Sequence, residues 1–361
     1  MLKIMHIVGA RPNFPKVAPI MAEMAKQPDA FDQVLVHTGQ HYDYNMSQVF
    51  FEHLEMPAPD ECLNVGSGSH AAQTAAIMTS FEPVVLKHRP DCVVVVGDVN
   101  STVACALVCA KIGVRVAHVE AGLRSRDRTM PEEINRLLTD QISDLLFTPS
   151  KDGNENLIRE GVDPAKIHFV GNVMIDTLVK LLPQALQRNK LKEFSIKAKE
   201  YILVTLHRPS NVDDPTVLRG ILQALAEISQ NVPVIFPVHP RTRSRIHDLN
   251  ESLAKKTLQL IDPLGYLDFL GLMNAAKLVV TDSGGIQEET TYLGVPCLTV
   301  RPNTERPITL SEGTNRLTGS RYQDLVEATR ESLRRQDGLP RKPELWDGQT
   351  APRIAEAMLK M

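Results

Sequence analysis

The feature that most constrains the fold of this chain is a regular alternation of short apolar runs with longer amphipathic segments. This alternation predicts β-strands that cross over through helices into parallel sheets. In the first half we expect strands at residues 3–8, 33–38, 91–97, 114–120 and 145–150. In the second half we expect them at YILVTL, VPVIFPVH, TLQLID, KLVVTD and PCLTV. The predicted class is therefore α/β, with Rossmann-like sheets.

The length of the chain predicts two domains. Its 361 residues exceed what one hydrophobic core usually supports. We expect an N-terminal Rossmann-like domain at residues 1–172 and a C-terminal one at 173–347, with a polar, basic linker at 181–200. The last segment, TAPRIAEAMLKM, predicts an amphipathic helix within residues 348–361 that packs back on the first domain.

The composition argues against several classes of protein. Apolar residues make up 43%, charged residues 23%, and the net charge is -3, so no basic surface for nucleic acid is expected. The N-terminus lacks the features of a signal peptide, and no apolar run reaches the roughly 18 residues of a membrane span, so we expect a cytoplasmic protein without membrane contact. The five cysteines lie mostly in apolar runs and predict buried thiols; Cys105 and Cys109 have helical spacing but no further metal-binding partners, so no metal is expected.

Functional residues of parallel sheets follow the carboxyl ends of strands. After the first strand, GARPNFPK offers Gly9 for a tight turn, Pro15 for a helix start, and the cations Arg11 and Lys16. Arg11 is either a surface charge or an anion ligand, and the position favours the ligand. The segment has neither the GxGxxG pattern nor a Walker lysine, so no nicotinamide cofactor or P-loop nucleotide is expected.

Carboxylates follow the third and fourth predicted strands. Asp98 lies in GDVNST, where Asn100 or Ser101 can cap the next helix and leave Asp98 for substrate; the alternative is a turn residue. Glu120 ends the next strand. We expect these two acids to converge with a third on one site that can perform acid and base chemistry on a sugar.

The third acid belongs to the loop AGLRSRDRTMPEEINR, which follows Glu120. Pro131 fits the first turn of a helix and places Glu132 and Glu133 at its positive end, where one of the pair can be purely structural. The arginines of this loop are either ligands or structural partners of the acids.

In the second half, His207 and Arg208 directly follow a buried strand, and His207 is either a structural residue or a phosphate contact. The segment TDSGGIQEETTYLG places Ser283, Gly284 and Gly285 at a helix start, which suits a diphosphate. Glu288 or Glu289, one turn later, can bind ribose hydroxyls. Arg306 and Arg316 add cations further along the chain.

Seven motifs, in this order across nearly the whole chain, carry a specific resemblance: GARPNFPK, TGQHYDYNMS, GDVNST, HVEAGLRS, MPEEINR, LHRPSNVD and TDSGGIQEE. They resemble the non-hydrolysing UDP-N-acetylglucosamine 2-epimerases. The resemblance implies a glycosyltransferase-B-like fold with its active site in the interdomain cleft, a homodimer, and interconversion of UDP-GlcNAc and UDP-ManNAc for surface polysaccharide synthesis without a nicotinamide or metal cofactor.

The same resemblance implies roles for individual residues. The family's active-site positions match Arg11, Lys16, Asp98, Glu120, Glu132 and His207. The positions around UDP match Ser283, Gly284, Gly285, Glu289 and Arg306, with Phe269 and the backbone near Leu264 beside the uracil.

The implied mechanism is elimination followed by addition. Departure of UDP from C1 builds positive charge, the cationic site stabilises the diphosphate, and a carboxylate removes the C2 proton to give 2-acetamidoglucal. A second acid then reprotonates C2 from the opposite face while UDP adds back. Asp98, Glu120 and Glu132 are the candidates, and the sequence leaves their individual roles open.

One motif departs from the family pattern. Many bacterial members carry a TGQHR-type loop that binds a second UDP-GlcNAc as an activator, whereas Tyr42 and Asp43 follow His41 here, which puts allosteric activation in doubt. The HYDYNMS form is similar to epimerases of UDP-2,3-diacetamido-2,3-dideoxyglucuronic acid, but QEE (287–289) and ERP (305–307) look more like the UDP-GlcNAc enzymes. A hydrolysing epimerase, a glycosyltransferase of the same fold and a non-catalytic sensor remain alternatives.

Overall fold

The computed structural model describes residues 1–39, 54–249, 258–334 and 342–361. The chain divides into two compact units. Unit 1 comprises Met1–Thr177 and Glu344–Met361, and unit 2 comprises Leu178–Pro343. The predicted domain boundaries, at residues 172 and 347, stay a prediction.

Unit 1 is built on a seven-stranded parallel sheet in the order β3-β2-β1-β4-β5-β6-β7. Its strands are β1 Leu2–Val8, β2 Phe31–His37, β3 Glu61–Cys62, β4 Cys92–Val96, β5 Arg115–Val119, β6 Leu145–Thr148 and β7 Ile167–Phe169. At the centre, Val93 of β4 lies opposite Met5 of β1 on one side and Val116 of β5 on the other. All three are fully buried, because helices cover both faces of such a sheet.

Unit 2 is built on a six-stranded parallel sheet in the order β10-β9-β8-β11-β12-β13. Its strands are β8 Ile202–Thr205, β9 Val234–Pro237, β10 Leu258–Ile261, β11 Leu278–Thr281, β12 Cys297–Val300 and β13 Asn315–Thr318. The predicted α/β class, with a parallel sheet in each half of the chain, is confirmed.

Helices separate the strands in both units. They are α1 Phe14–Met24, α2 His70–His88, α3 Asn100–Ile112, α4 Pro131–Ile142, α5 Lys151–Arg159, α6 Val173–Gln187, α7 Lys190–Glu193, α8 Pro209–Val212, α9 Pro215–Ile228, α10 Pro240–Asp248, α11 Tyr266–Ala275, α12 Gly284–Leu293, α13 Ile308–Ser311, α14 Tyr322–Arg334 and α15 Thr350–Met358. None of the helices among the described residues is long and apolar enough to cross a membrane.

The prediction of a linker at residues 181–200 is wrong. This stretch begins inside α6 and contains α7. Its charged residues lie in α7 and in the turns on either side of α7, whereas Leu181 and Ala185 of α6 are buried.

Helix α3 illustrates how local sequence fixes an element in unit 1. Cys105 and Cys109 are fully buried in the core beneath β4, so the predicted packing role of these thiols is confirmed. Gly113 ends the helix at φ 78°, in the left-handed region that glycine tolerates, as predicted.

The C-terminal segment belongs to unit 1. Helix α15 packs against α1. Asp176 accepts hydrogen bonds from the backbone N–H groups of Thr350 and Ala351, at 3.1 and 2.7 Å, and so caps the start of α15 from α6. Just before this helix, the buried Trp346 donates its indole N–H to the carbonyl of Pro149 at 2.9 Å.

Candidate functional site

The strand order reverses once in each sheet, beside β1 and β4 in unit 1 and beside β8 and β11 in unit 2. Open parallel sheets bind ligands beyond the carboxyl ends of the strands at such a reversal. In unit 1 the predicted site residues Arg11, Lys16 and Asp98 follow the two strands at the reversal. In unit 2, His207 and the segment 283–285 do so.

The loop after β1 is tied to the end of β4 by Asn13, which the sequence did not single out. Its side-chain oxygen accepts hydrogen bonds from the N–H groups of Gly9 and Ala10 at 3.1 and 2.9 Å. Its amide nitrogen donates to the carbonyl of Val96 at 3.2 Å. Arg11 lies exposed in the short 3-10 turn of this loop.

The tight turn expected at Gly9 stays a prediction, and the φ of Gly9 is not among the positive values of the chain. A β-carbon on Gly9 would lie 2.2 Å from Ser101 Oγ and 2.4 Å from Thr38 Oγ1. These two hydroxyls bond to each other at 2.8 Å. Glycine is therefore required by the close approach of buried side chains.

Lys16 and Glu120 form a buried ion pair at the ends of α1 and β5, with Lys16 Nζ donating to Glu120 Oε2. Glu120 has φ 74°, a left-handed conformation that is strained for a residue with a side chain and is concentrated at functional sites. A β-carbon on Gly97 would lie 2.9 Å from Lys16 Nζ and 3.5 Å from Glu120 Oε2. Asp98, the next residue, therefore lies beside this pair.

Asp98 is held from α4. Its Oδ2 accepts a hydrogen bond from Arg136 Nη1, and its backbone carbonyl accepts one from Asn135 Nδ2 at 2.9 Å. About a quarter of the Asp98 side chain stays accessible to solvent, whereas Arg136 is buried. The carboxylate is thus oriented and kept in reach of a ligand.

The expected cap of α3 by Asn100 or Ser101 is wrong. The N-cap position is Val99, and no side chain caps it. Asn100 instead donates to Gln73 Oε1 at 2.9 Å, and Ser101 bonds Thr38 as described above. The two side chains are occupied by buried polar partners, which take precedence over the helix terminus.

The two acids at the start of α4 differ in setting, and α4 begins at Pro131 as predicted. Glu133 is buried and accepts hydrogen bonds from the N–H groups of Ser125 and Arg126 at 2.9 and 2.8 Å. Arg136 pairs with it at 2.8 Å. Burial alone would raise the pKa of Glu133, but these partners lower it below its ordinary value. Glu133 is the structural member of the pair, and Glu132 is half-buried.

A buried network lies beneath the acids, and the sequence did not reveal it. His118 Nδ1 bonds Asp140 Oδ1 at 2.6 Å, and its Nε2 bonds the carbonyl of Gly97 at 2.8 Å. Arg124 pairs with Asp140 at 2.7 Å and with Glu160 at 2.6 Å. The network holds the end of β4 against β5 and makes Arg124 a structural partner. The sequence predicts either a ligand or a structural role for the arginines of this loop, and Arg124 has the structural one.

In unit 2, His207 is held by Asp282, another residue that sequence reasoning passed over. Asp282 is fully buried, whereas 58% of the His207 side chain is exposed. The ring Nδ1 lies 3.1 Å from Asp282 Oδ1, and the backbone N–H of Arg208 donates to Oδ2 at 2.9 Å. Burial would raise the pKa of Asp282, but the hydrogen bond and charge of His207, the Asn211 amide and the Arg208 N–H together lower it.

The start of α12 carries a cation. A β-carbon on Gly284 would lie 2.4 Å from Arg306 Nη1, whereas Gly285 faces open space. Ser283 is the N-cap residue, and its own side chain caps no backbone group. Arg306 is buried and pairs with Glu305 at 2.5 Å and Glu288 at 2.9 Å. The Arg306 guanidinium thus lies at the positive end of α12, and this arrangement suits an anion.

Glu289, one turn further along α12, has a different environment from Glu288. Glu289 accepts a hydrogen bond from the Tyr266 hydroxyl at 2.6 Å. Burial raises the pKa of Glu289 to about 7; the Tyr266 bond lowers it and the charge of Glu288 raises it. Glu289 is therefore a carboxyl group that changes protonation near neutral pH.

The remaining predicted residues have less contact with the residues around the start of α12. Leu264 and Phe269 are half-buried at the start of α11, where Phe269 N–H donates to the Gly265 carbonyl at 3.0 Å. Arg316 of β13 pairs with Glu331 at 2.9 Å and is not part of the start of α12.

The variant motif with His41, Tyr42 and Asp43 lies outside the described residues. Within the described ranges, no group of three or more His, Cys, Asp or Glu side chains could hold a metal ion.

Among known protein families, a model described as UDP-N-acetylglucosamine 2-epimerase matches residues 22–359 of this chain. The chain belongs to this family. The predicted family, the isomerase class and the glycosyltransferase-B-like fold are thereby confirmed, whereas the interdomain position of the active site stays a prediction.

Individual members of the UDP-N-acetylglucosamine 2-epimerase family are similar along nearly the whole chain. The UDP-N-acetylglucosamine 2-epimerase of Methanocaldococcus jannaschii is 44% identical over 335 residues, covering 91% of each chain. The crystal structure of the enzyme from this organism with UDP-GlcNAc and UDP has a TM-score of 0.91 at 41% identity, with both chains fully covered. The UDP-2,3-diacetamido-2,3-dideoxy-D-glucuronate 2-epimerase of Pseudomonas aeruginosa is 43% identical over the full length of both.

Proposed function

We propose that this protein is a non-hydrolysing UDP-GlcNAc 2-epimerase that interconverts UDP-GlcNAc and UDP-ManNAc. The observation that carries the proposal is the placement of Asp98 and Glu120 beside Gly97, each paired with a cation. Relatives that act on UDP-GlcNAc match nearly the whole chain, which supports the same substrate.

The nucleotide binds at the start of α12. There Ser283, Gly284 and Gly285 present backbone N–H groups and Arg306 adds a guanidinium, so that the diphosphate is held by donors on two sides. Glu289 receives the ribose hydroxyls, because its carboxyl group can act as acceptor or donor near pH 7. We assign the uracil to Leu264 and Phe269, which offer half-buried apolar surface.

The chemistry begins at the bond between C1 and the diphosphate. The C2 proton of the sugar is weakly acidic, so a base alone achieves little. As UDP departs with the bonding electron pair, positive charge at C1 acidifies C2, and a carboxylate takes the proton to leave 2-acetamidoglucal. Protonation of C2 from the opposite face and return of UDP to C1 complete the inversion. No atom is lost or gained.

The groups for proton transfer at C2 belong to unit 1. Two acids on opposite faces of the sugar are needed, and Asp98, Glu120 and Glu132 supply them. Arg11 and Lys16 add positive charge near the leaving group. His207, with most of its ring exposed, contacts the diphosphate as charge builds on it.

Isotope exchange tests the proposal. Purified protein incubated with UDP-GlcNAc in deuterated water is expected to form UDP-ManNAc and to carry one deuterium at C2 in both sugars. An unchanged, unlabelled substrate would refute the epimerase. Release of UDP in step with turnover would identify a hydrolysing enzyme, and sugar transfer to an acceptor without exchange would identify a glycosyltransferase.

A second candidate substrate is UDP-2,3-diacetamido-2,3-dideoxy-D-glucuronate. The identity to the Pseudomonas aeruginosa enzyme, 43% over both full chains, is nearly the same as the 44% to the Methanocaldococcus jannaschii enzyme. The exchange experiment with both sugars at equal concentration separates them by kcat/KM. We expect the higher value for UDP-GlcNAc.

The homodimer and the cytoplasmic location implied by the sequence stay predictions. Sedimentation of the purified protein measures the first. Cell fractionation measures the second.

A further inference from the structure

The buried carboxylate of Asp282 has an unusual set of donors. Its oxygens accept hydrogen bonds from the backbone N–H of His207 at 3.1 Å, from that of Arg208 at 2.9 Å and from Asn211 Nδ2 at 3.0 Å. A carboxylate buried without such partners would be strongly unfavourable. All three donors belong to the short segment after β8, so Asp282 fixes the backbone that carries His207.

The same carboxylate also meets the His207 ring. Nδ1 lies 3.1 Å from Oδ1. An ionised carboxylate only accepts hydrogen bonds, so the nitrogen that faces it carries the proton. In the neutral ring Nε2 then keeps its lone pair, and more than half of the His207 side chain is exposed.

We infer that Asp282 is a positioning residue that holds His207 in the Nδ1–H form and presents Nε2 to the substrate. The inference rests on the proposed function, because His207 acts there on the diphosphate. A neutral Nε2 can take up a proton and return it as a donor to the departing phosphate oxygen.

Replacement of Asp282 by asparagine changes the chemistry of this contact with little change in shape. The asparagine oxygen is expected at the Oδ2 position, where it keeps the donors Arg208 N–H and Asn211 Nδ2. Its amide nitrogen then faces His207 Nδ1 as a donor. The ring must then accept a hydrogen bond at Nδ1, so its proton moves to Nε2. The variant therefore holds His207 in the opposite tautomer.

Nitrogen-15 NMR of the labelled, ligand-free protein at a pH where His207 is neutral measures the tautomer directly. The His207 signals are identified by their loss in His207→Gln. We expect Nδ1–H in the wild type and Nε2–H in Asp282→Asn. Nε2–H in the wild type, or the same tautomer in both proteins, would overturn the inference. The wild-type spectrum decides even where the variant does not fold.

Kinetics provide the second readout. In Asp282→Asn we expect kcat to fall on the order of 100-fold, with KM nearly unchanged, as for a lost proton-transfer group. In the His207→Gln background the same change should lower kcat no further, because Asp282 acts through His207. Independent, multiplying losses would contradict the inference.

The matched control is Asn211→Ala. It removes one donor to Asp282 but leaves the carboxylate, and should keep the Nδ1–H form. A wild type that does not act on UDP-GlcNAc would refute the proposed function, while the tautomer measurement would still decide the role of Asp282.

Discussion

Asp140 of unit 1 and Glu289 of unit 2 are both buried carboxyl groups, and the two groups have opposite surroundings. Asp140 in unit 1 lies between His118 and Arg124, and these partners lower its pKa although burial would raise it. Glu289 in unit 2 has the hydroxyl of Tyr266 and the charge of Glu288, and burial raises its pKa to about 7. The partners of Asp140 therefore keep it charged, whereas Glu289 can change protonation.

The difference matches the tasks proposed for the two regions. Proton abstraction requires acids with fixed position and charge, and the ion pairs of Asp98 and Glu120 provide both. Nucleotide binding brings a negatively charged diphosphate, and a carboxyl group that is readily protonated opposes it less.

The largest expected effect tests the task of unit 1. Glu120→Gln removes a proposed proton-transfer group, and we expect C2 deuterium exchange to slow by about 100- to 10,000-fold. UDP affinity should stay within about tenfold, roughly 1.4 kcal/mol, because the nucleotide is held by unit 2. Exchange by mass spectrometry and UDP binding by calorimetry measure the two values.

Wild-type exchange in Glu120→Gln would remove the catalytic assignment. The variant Glu132→Gln, measured alongside, tests a half-buried acid of the same site. Thermal unfolding of both variants checks that the fold is intact.

The second prediction concerns the fixed charges. Asp140→Asn leaves His118 and Arg124 without their shared carboxylate in the core, and we expect about 3–5 kcal/mol of destabilisation. Glu160→Gln, which removes the partly exposed partner of the same arginine, should cost much less. Urea unfolding of both variants gives the comparison, and equal losses would contradict it.

The pH dependence of Asp140 follows from its lowered pKa. Its contribution to stability is complete above the ordinary value of 3.8 and is lost as the pH falls through the lower folded-state value. The difference in stability between wild type and Asp140→Asn should therefore be constant from pH 5 to 8.

The third prediction concerns Glu289 of unit 2, whose ionisation changes stability in the opposite direction to that of Asp140. Because the folded-state pKa of Glu289 is above its ordinary 4.5, its ionisation destabilises the ligand-free protein as the pH rises from 4.5 through about 7. The neutral variant Glu289→Gln should gain stability over the wild type across this range, by up to about 3 kcal/mol at pH 8. Thermal unfolding at pH 5 and pH 8 measures the gain, and a pH-independent difference would refute the raised pKa.

The smallest expected effect comes from Asp176, a buried carboxylate that accepts hydrogen bonds from backbone N–H groups. Asp176→Ala removes the cap of α15, and we expect about 1 kcal/mol of destabilisation. Fluorescence of Trp346, the single tryptophan of the chain, reports this region during urea unfolding. Glu356→Gln breaks an exposed ion pair between this helix and Lys360, which follows the helix, and should have no measurable effect.

Sequence patterns predict the central strands of both sheets well and the edge strands poorly. Runs such as CVVVV of β4 are buried on both faces and read as strands. The missed strands β3, β7 and β13 lie at sheet edges, are two to four residues long and are partly exposed, so they lack a continuous apolar run.

The position of the candidate acids could also be predicted, because Asp98 and Glu120 directly follow strands. Their supporting residues could not. His118 reaches Asp140 across 22 residues of chain and His207 reaches Asp282 across 75, and no periodicity reports contacts of this kind. A buried histidine within an apolar strand was the available signal for His118.

The return of the C-terminal segment to unit 1 has a consequence for biosynthesis. Trp346 and α15 leave the ribosome only after residues 178–343 have been made, yet they complete the packing around α1 and Pro149. Unit 2 can fold during translation, whereas unit 1 must wait with part of its apolar surface uncovered until residues 344–361 have been made. A nascent chain paused before residue 344 should therefore bind chaperones through unit 1.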